Sequence, residues 1–449
     1  MLHQKKWAIS VFLCTSLFIP LYVRVAGGIT FYVYLSLFVF CYAFLVRGKK
    51  NHSNNTGVCC SGKKIKHLLT YIVIIQVLFV FLGTEVSVFH QVSQMKSMVA
   101  YALLFVSWNL VTVENYKGVF KSVSFSLLIV FLYGYYSYLT ASNPYVDYMI
   151  GFFGEENDFA SKMYRYLGEQ RGGIKTRITG VTYNPLQFAI LISLMIFISL
   201  SAYISVPKYR KYLRFLFLLF VFNLIFTGSR GPLIAFFLGV VYLFVHNARI
   251  SEKLIIGVSL LFCIVVISQT KLGEDYSSFF KSVFFIWDSS AGEEIQGSSV
   301  DGRIRQFMGV VNIVKEDSGT ILFGKGKGFI SDYFEKYGYG TDVLGFESIV
   351  FSTLVSHGVL GLFFIVFLKY LLMFLINKKY YKQCGFDSKY YYLINSFILV
   401  NIITSIIVGS VYELQFLLIY IVLLKIAVIT KQGGIKNDHM PTMVYSCKK

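Results

Sequence analysis

The segment Thr227-Gly-Ser229-Arg230-Gly-Pro232 joins two apolar stretches and has the composition of an anion site. Pro232 suits the first turn of a following helix, and glycines let a ligand approach the backbone closely. Arg230 would then sit at a helix N-terminus, where the positive dipole end and a guanidinium both favour a phosphate, with Ser229 beside it as a substrate contact. The alternative is an arginine that snorkels to lipid phosphates. A second basic pair, Lys175 and Arg177, lies about ten residues before another apolar stretch, followed by Tyr183 and the turn signal Asn184-Pro185. It reads as a further anion contact or as a solvated basic loop. Tyr183 offers a face for a sugar, as do Tyr276 and Tyr333, and Asn184 is a further substrate contact; an interfacial aromatic belt would explain the tyrosines equally well.

Glu347 opens another apolar run within Gly345-Phe-Glu347-Ser348. It is either a helix-capping acid or a general base at the edge of a partly desolvated cavity. His357, ten residues on, would lie about 15 Å deeper at 1.5 Å per residue, where a packing role suits it better. The glycines Gly358 and Gly361 permit close helix packing. Gly324-Lys-Gly-Lys-Gly328 lacks the GxxxxGK[ST] spacing of a nucleotide-binding loop and reads as a flexible basic turn. Arg303 and Arg305 lie on a segment where Ile304, Phe307, Met308 and Val311 recur at helical spacing, with Asp301 as N-cap. That pattern predicts an amphipathic helix on a membrane surface, with either arginine turned to substrate. No His/Cys spacing suggests a metal, and the seven cysteines show no disulfide pattern.

The elements that must position these residues are apolar. Of 449 residues, 56% are hydrophobic and 14% charged, and mean hydropathy is +0.63. Soluble domains carry about 25% charged residues, so a water-soluble globular chain is excluded. Crossing about 30 Å of hydrocarbon takes about 20 apolar residues. Twelve such runs fall near 7–23, 28–46, 67–83, 97–113, 119–140, 186–206, 213–226, 232–246, 254–270, 348–376, 391–408 and 412–429. The first run reads as a retained span and not a cleaved leader, for want of a small-residue cleavage site.

The net charge of +19 follows from orientation. With the N-terminus inside, the inner segments hold 24 of the 42 Lys+Arg and only four acids, Glu114, Glu252, Asp387 and Asp438. Basic flanks resist translocation, so both termini are placed in the cytoplasm. Lys369 and Lys425 are assigned near inner span ends. The excess charge is a record of topology and implies no nucleic-acid partner. Two outer loops are large, 141–185 and 271–347, within one polytopic membrane domain over 1–449.

Four segments, taken together, resemble the bacterial O-antigen polymerase and ligase superfamily of lipid-linked glycosyltransferases. They are Arg177-Ile-Thr-Gly180 with Asn184-Pro185, Thr227-Gly-Ser-Arg230-Gly, Leu322-Phe-Gly324-Lys-Gly326, and Glu347-Ser348 followed after nine residues by Gly358-Val-Leu-Gly361. In the ligases a histidine, their proposed base, stands where this sequence has Glu347, so the resemblance favours the polymerase (Wzy-type). It implies an all-α, GT-C-like glycosyltransferase of the bacterial cytoplasmic membrane, acting at the outer face. Its expected partners are undecaprenyl-diphosphate-linked donor and acceptor oligosaccharides, membrane lipids and a chain-length regulator, with no metal, nucleotide or other cofactor. Arg177, Arg230 and Glu347 become the expected catalytic residues. Other readings are a ligase that moves glycan to a lipid core or protein, a transporter of lipid-linked sugar, and a passive assembly scaffold. The near absence of charge within the spans argues against transport.

Overall fold

The computed structural model describes residues 7–19, 23, 30–47, 62–153, 177–182, 184–247, 300–337, 348–409 and 411–435. Within them the regular elements are helices. The first half carries α1 (Ala8–Phe18), α2 (Phe31–Arg47), α3 (Lys63–Val80), α4 (Val88–Gln94), α5 (Ala102–Leu110), α6 (Tyr116–Thr140) and α7 (Pro144–Phe153). Then come α8 (Pro185–Ser205), α9 (Arg210–Phe226) and α10 (Arg230–Asn247), followed by the short α11 (Val300–Val314), α12 (Ser318–Phe323) and α13 (Phe329–Tyr337). The chain continues through α14 (Ile349–Cys384), α15 (Ser388–Val408) and α16 (Glu413–Ile435). Among the described residues α6, α8, α14, α15 and α16 are long and apolar enough to cross a membrane. The protein is an all-α polytopic membrane protein.

Helix α8 is apolar all round, and residues on every side of it are buried, from Phe188 to Ala202. A helix of that kind belongs at the centre of a bundle. Helices α6, α9, α10, α15 and α16 pack against it. In hydrocarbon the hydrophobic effect does not drive helices together, so packing and interhelical hydrogen bonds must do so. Ser124 and Ser199 share a hydrogen bond of 2.9 Å between α6 and α8. Ser396 donates to the Gly239 carbonyl at 2.8 Å, from α15 to α10. Asn377 donates to the Asn395 side chain at 2.7 Å, from α14 to α15. The starts of α8, α12, α14 and α15 are capped by Asn184, Asp317, Ser348 and Asp387, each accepting from a backbone N–H of its first turn.

The basic residues gather at one end of this bundle. There α3, α6 and α15 begin and α8 and α14 finish, as the contacts Lys64–Gln383 and Ser205–Tyr390 show. That end carries Lys63, Lys64, Lys66, Lys117, Lys121, Lys208, Arg210, Lys211, Lys378, Lys379, Lys382 and Lys389.

Three expectations change. The run 97–113 is not one long helix: a 3-10 turn, Lys96–Tyr101, precedes the nine-residue α5. Asp301 does not cap α11, which begins at Val300. Helix α14 is broken near its start: Gly358 takes φ 62°, ψ −166°, and a π turn follows at Leu362–Phe367. His357 stands just before that break, and its ring packs edge-on against Phe79 at 5.5 Å, in keeping with a packing role. The expected run 254–270 lies outside the described residues.

The break in α14 is filled from another segment. The Lys325 and Gly326 N–H groups donate to the Val355 and Ser356 carbonyls at 2.8 and 3.0 Å, replacing bonds the helix forgoes at Gly358. On its other edge the same segment accepts from Thr84, Glu85 and Val86 through the Gly324 and Lys325 carbonyls. A Cβ on Gly324 would overlap the backbone at Ser356–Gly358, and one on Gly358 would overlap Leu322. Gly324-Lys-Gly-Lys-Gly328 is thus a fixed staple between the 84–86 turn and α14, and not a flexible basic turn. Buried Lys325 forms ion pairs with Glu85 and Glu316. Burial works against its charge, but the two carboxylates outweigh that and raise its pKa. Helix α11 seats Val310 and Ile313 against Val355 and leaves Ile304, Phe307 and Met308 exposed, the apolar outer face expected of a surface helix.

Candidate active site at one end of the bundle

Opposite the basic end, where α6 and α9 finish and α8 and α10 begin, two separate segments of chain meet. Ile178 N–H donates to the Phe226 carbonyl at 2.9 Å, which lays residues 177–182 against the end of α9. The Arg177 side chain, only 3% exposed, donates from Nε to the Thr227 carbonyl at 2.9 Å. Its Nη2 reaches Ser229 Oγ at 3.5 Å, a long contact at the edge of hydrogen-bonding range. The turn itself is held by Thr227, which donates to the Leu224 carbonyl at 2.7 Å and accepts from Ser229 N–H at 3.2 Å. Gly228 lies at φ 61°, and a Cβ there would stand 3.2 Å from Arg177 Nε. The next residue but one, half-buried Arg230, opens α10.

Arg177, Ser229 and Arg230 are therefore brought together from two segments about fifty positions apart. A buried guanidinium next to a helix N-terminus that itself begins with arginine concentrates positive charge on one turn. Arg177 also does structural work, since its Nε bond fixes the carbonyl of the turn it faces. Asn184 Oδ1 accepts from Leu186 N–H at 2.8 Å and so caps α8, a role that accounts for its position. Arg303 donates to Gln306 at 2.9 Å on α11, and Arg305 is exposed on the same helix. Lys175, Tyr183 and Glu347 lie outside the described residues; Ser348, which follows Glu347, caps α14.

Asn143 is a residue that sequence reasoning missed. It is fully buried, accepts from Tyr133 at 2.5 Å, and donates to Thr179 Oγ1 at 2.6 Å and to the Gly180 carbonyl at 2.8 Å. An asparagine in a turn is common and carries no signal by itself. Its importance comes from partners 36 and 37 positions away. Asn143→Ala leaves those groups buried and unpaired, at about 1–3 kcal/mol. The expected outcome is a lower melting temperature of the purified protein and faster proteolysis within 177–182, with Asn143→Asp an incomplete rescue.

In this all-α polytopic membrane protein one arginine is buried against an interhelical turn and a second opens the helix that follows it. Residues 215–366 match the family model described as O-Antigen ligase. The matched third of the chain takes in the Thr227–Gly231 turn, the Gly324 staple and the Gly358 break, and begins after Arg177. This agrees with the resemblance to the polymerase and ligase superfamily and supports an O-antigen polymerase or ligase activity on lipid-linked oligosaccharide. No curated protein matches the chain.

Proposed function

We propose that the protein polymerises undecaprenyl-diphosphate-linked oligosaccharide repeat units into O-antigen or capsular polysaccharide, at the outer face of the bacterial cytoplasmic membrane. The observation that carries this reading is buried Arg177 held against the 227–229 turn, with Arg230 opening the helix directly after it. The clustering of lysines at the other end supports an orientation with that turn outside.

In the reaction, a sugar hydroxyl of one lipid-linked unit attacks the anomeric carbon of the other. A new C–O bond forms there as the bond to the diphosphate oxygen breaks. Negative charge grows on the diphosphate as it leaves, and Arg177 and Arg230 stabilise that charge by charge-assisted hydrogen bonds. Glu347 accepts the hydroxyl proton, and backside attack inverts the anomeric centre. The donor arrives activated, so the step needs no nucleotide.

The family model carries the ligase description, which makes ligation the second reading. The surface-glycan profile of a strain lacking the protein separates the two. Lipid bearing a single repeat unit is the expected result; bare core would establish the ligase. Glu347→Gln keeps the size of the side chain and removes the base, so long chains should disappear while single units remain. Chains of ordinary length in that variant would end the role of Glu347.

A further inference from the structure

Ionisable residues within a membrane bundle often mark ligand paths, but Lys369 and Lys425 do not. Lys369 of α14 places Nζ 3.0 Å from Glu413 Oε1 at the start of α16, a pair of no net charge. That pairing puts Lys369 near the outer end and overturns its assignment to the inner one. Lys425 lies over the Trp108 ring at 4.7 Å, and a Cβ on Gly62 would meet that same ring, so Lys425 lies towards the basic end. Recognition of anything beyond the diphosphate is left to the surface around the arginine turn.

Six of the 33 tyrosines fall within the sixteen residues 133–148, at the end of α6 and the start of α7. Membrane interfaces collect tyrosine and tryptophan as a belt around the whole molecule. At this end, however, residues 185–191 of α8, 220–226 of α9, 230–236 of α10, 349–355 of α14 and 402–408 of α15 include neither. Tyr412, beside the start of α16, is buried. The cluster is therefore local to the side of the bundle where α6 and α9 meet residues 177–182.

Its rings are fixed. Tyr133 and Tyr136 lie nearly parallel, 28° apart with centroids at 6.2 Å, and Tyr145 meets Tyr133 edge-on at 6.4 Å. The Tyr133 hydroxyl accepts from Tyr145 N–H at 2.9 Å and donates to Asn143, whose amide in turn holds Thr179 and the Gly180 carbonyl. The Tyr145 hydroxyl donates to the Phe18 carbonyl. Tyr138, between them in the chain, stands 4.3 Å from Phe226, the residue just before the arginine turn. Two hydrogen bonds thus join the stack to the segment that carries Arg177, while Tyr136 remains 47% exposed.

A ring held in this way loses little freedom on binding and offers a flat apolar face. A pyranose matches it in shape, with C–H groups on its faces and hydroxyls at its rim. We propose that Tyr136, backed by Tyr133 and Tyr145, is a platform on which a sugar ring of the lipid-linked glycan stacks while the diphosphate lies at the arginine turn. This rests on the reading that the substrate is a lipid-linked oligosaccharide. It adds the surface that tells a sugar-bearing carrier from a bare one.

The test is binding of two lipids to the purified full-length protein in detergent. One is the undecaprenyl-diphosphate-linked glycan that accumulates in a strain lacking the protein; the other is bare undecaprenyl diphosphate. Tyr136→Leu keeps apolar bulk and removes the ring, so it should weaken binding of the glycan-bearing lipid about tenfold. The bare lipid should bind that variant as it binds wild type. Tyr136→Phe keeps the ring and should restore most of the lost affinity. Equal loss of both lipids in Tyr136→Leu would overturn the proposal in favour of a packing role. Wild-type protein that holds both lipids equally, or a preference for the glycan-bearing lipid that survives in Tyr136→Leu, would overturn it in favour of an interfacial tyrosine. The two failures are distinct. Wild-type protein that binds neither lipid sinks the substrate reading together with the platform, and each of the other adverse results sinks the platform alone.

Discussion

Arg230→Ala should abolish long surface chains while the protein remains in the membrane at its normal level. A donor aimed at charge that develops in the transition state contributes about 3–4 kcal/mol, a rate factor on the order of 100 to 1,000. Successive additions multiply that loss, so the gel pattern should collapse to single units. Arg230 opens α10 and is half-buried, and removing its side chain leaves the helix N-terminus in place. Arg177→Ala should be as severe for a double reason, because it also releases the Thr227 carbonyl that Nε holds. Arg177→Lys keeps the charge but has no planar fork with which to bond one group and face another, so it should not restore chains. Pulse labelling of surface glycan, with membrane immunoblots for protein level, reads all three. Normal chain length in either alanine variant removes that arginine from the mechanism.

The largest expected effect on stability is at the break in α14. Gly358 combines φ 62° with the Leu322 backbone against the place a Cβ would occupy, and Gly324 faces it from the other side. Gly358→Ala therefore incurs left-handed strain of about 1–3 kcal/mol and must also push the staple away. With the staple displaced, the Val355 and Ser356 carbonyls lose the N–H groups of Lys325 and Gly326. Each buried group left unpaired adds about 1–3 kcal/mol. Such a sum approaches the whole stability of many domains, and the variant should be degraded in cells or melt far below wild type in detergent. Gly324→Ala should do nearly the same. Either variant melting within a degree or two of wild type would show that the two backbones are free to part.

The class of the protein was legible because hydrocarbon imposes a blunt rule on composition and length. Runs such as 119–140, 186–206 and 391–408 recur almost unchanged as α6, α8 and α15. The run 97–113 misled because hydropathy counts apolar residues and does not register whether they form one helix. Arg230 was legible through Pro232 and its glycines, which mark a helix start. Arg177 owes its place to Ile178 and the Phe226 carbonyl, a contact between segments that no local pattern encodes. The same holds for Asn143 and for the Lys369–Glu413 pair, whose members are 44 residues apart. The glycines at 324 and 358 were visible singly, and the reason for them was not. Each exists to admit the backbone of the other, and a pairwise requirement has no signature in either segment alone.

That mutual requirement sets an order of assembly. A helix entering the membrane ordinarily satisfies its own carbonyls, but α14 arrives with Val355 and Ser356 dependent on Lys325 and Gly326, which in turn hold residues 84–86. Three regions separated by up to about 270 positions must be present before all of these bonds can form. The ordering entropy of such a closure is lost before its bonds repay it. The junction of these three segments is therefore a late event in biogenesis, formed after α14 has been synthesised. Until then the 84–86 turn and the Gly324–Gly328 segment have only part of their hydrogen bonds, so this corner of the bundle takes its final form last.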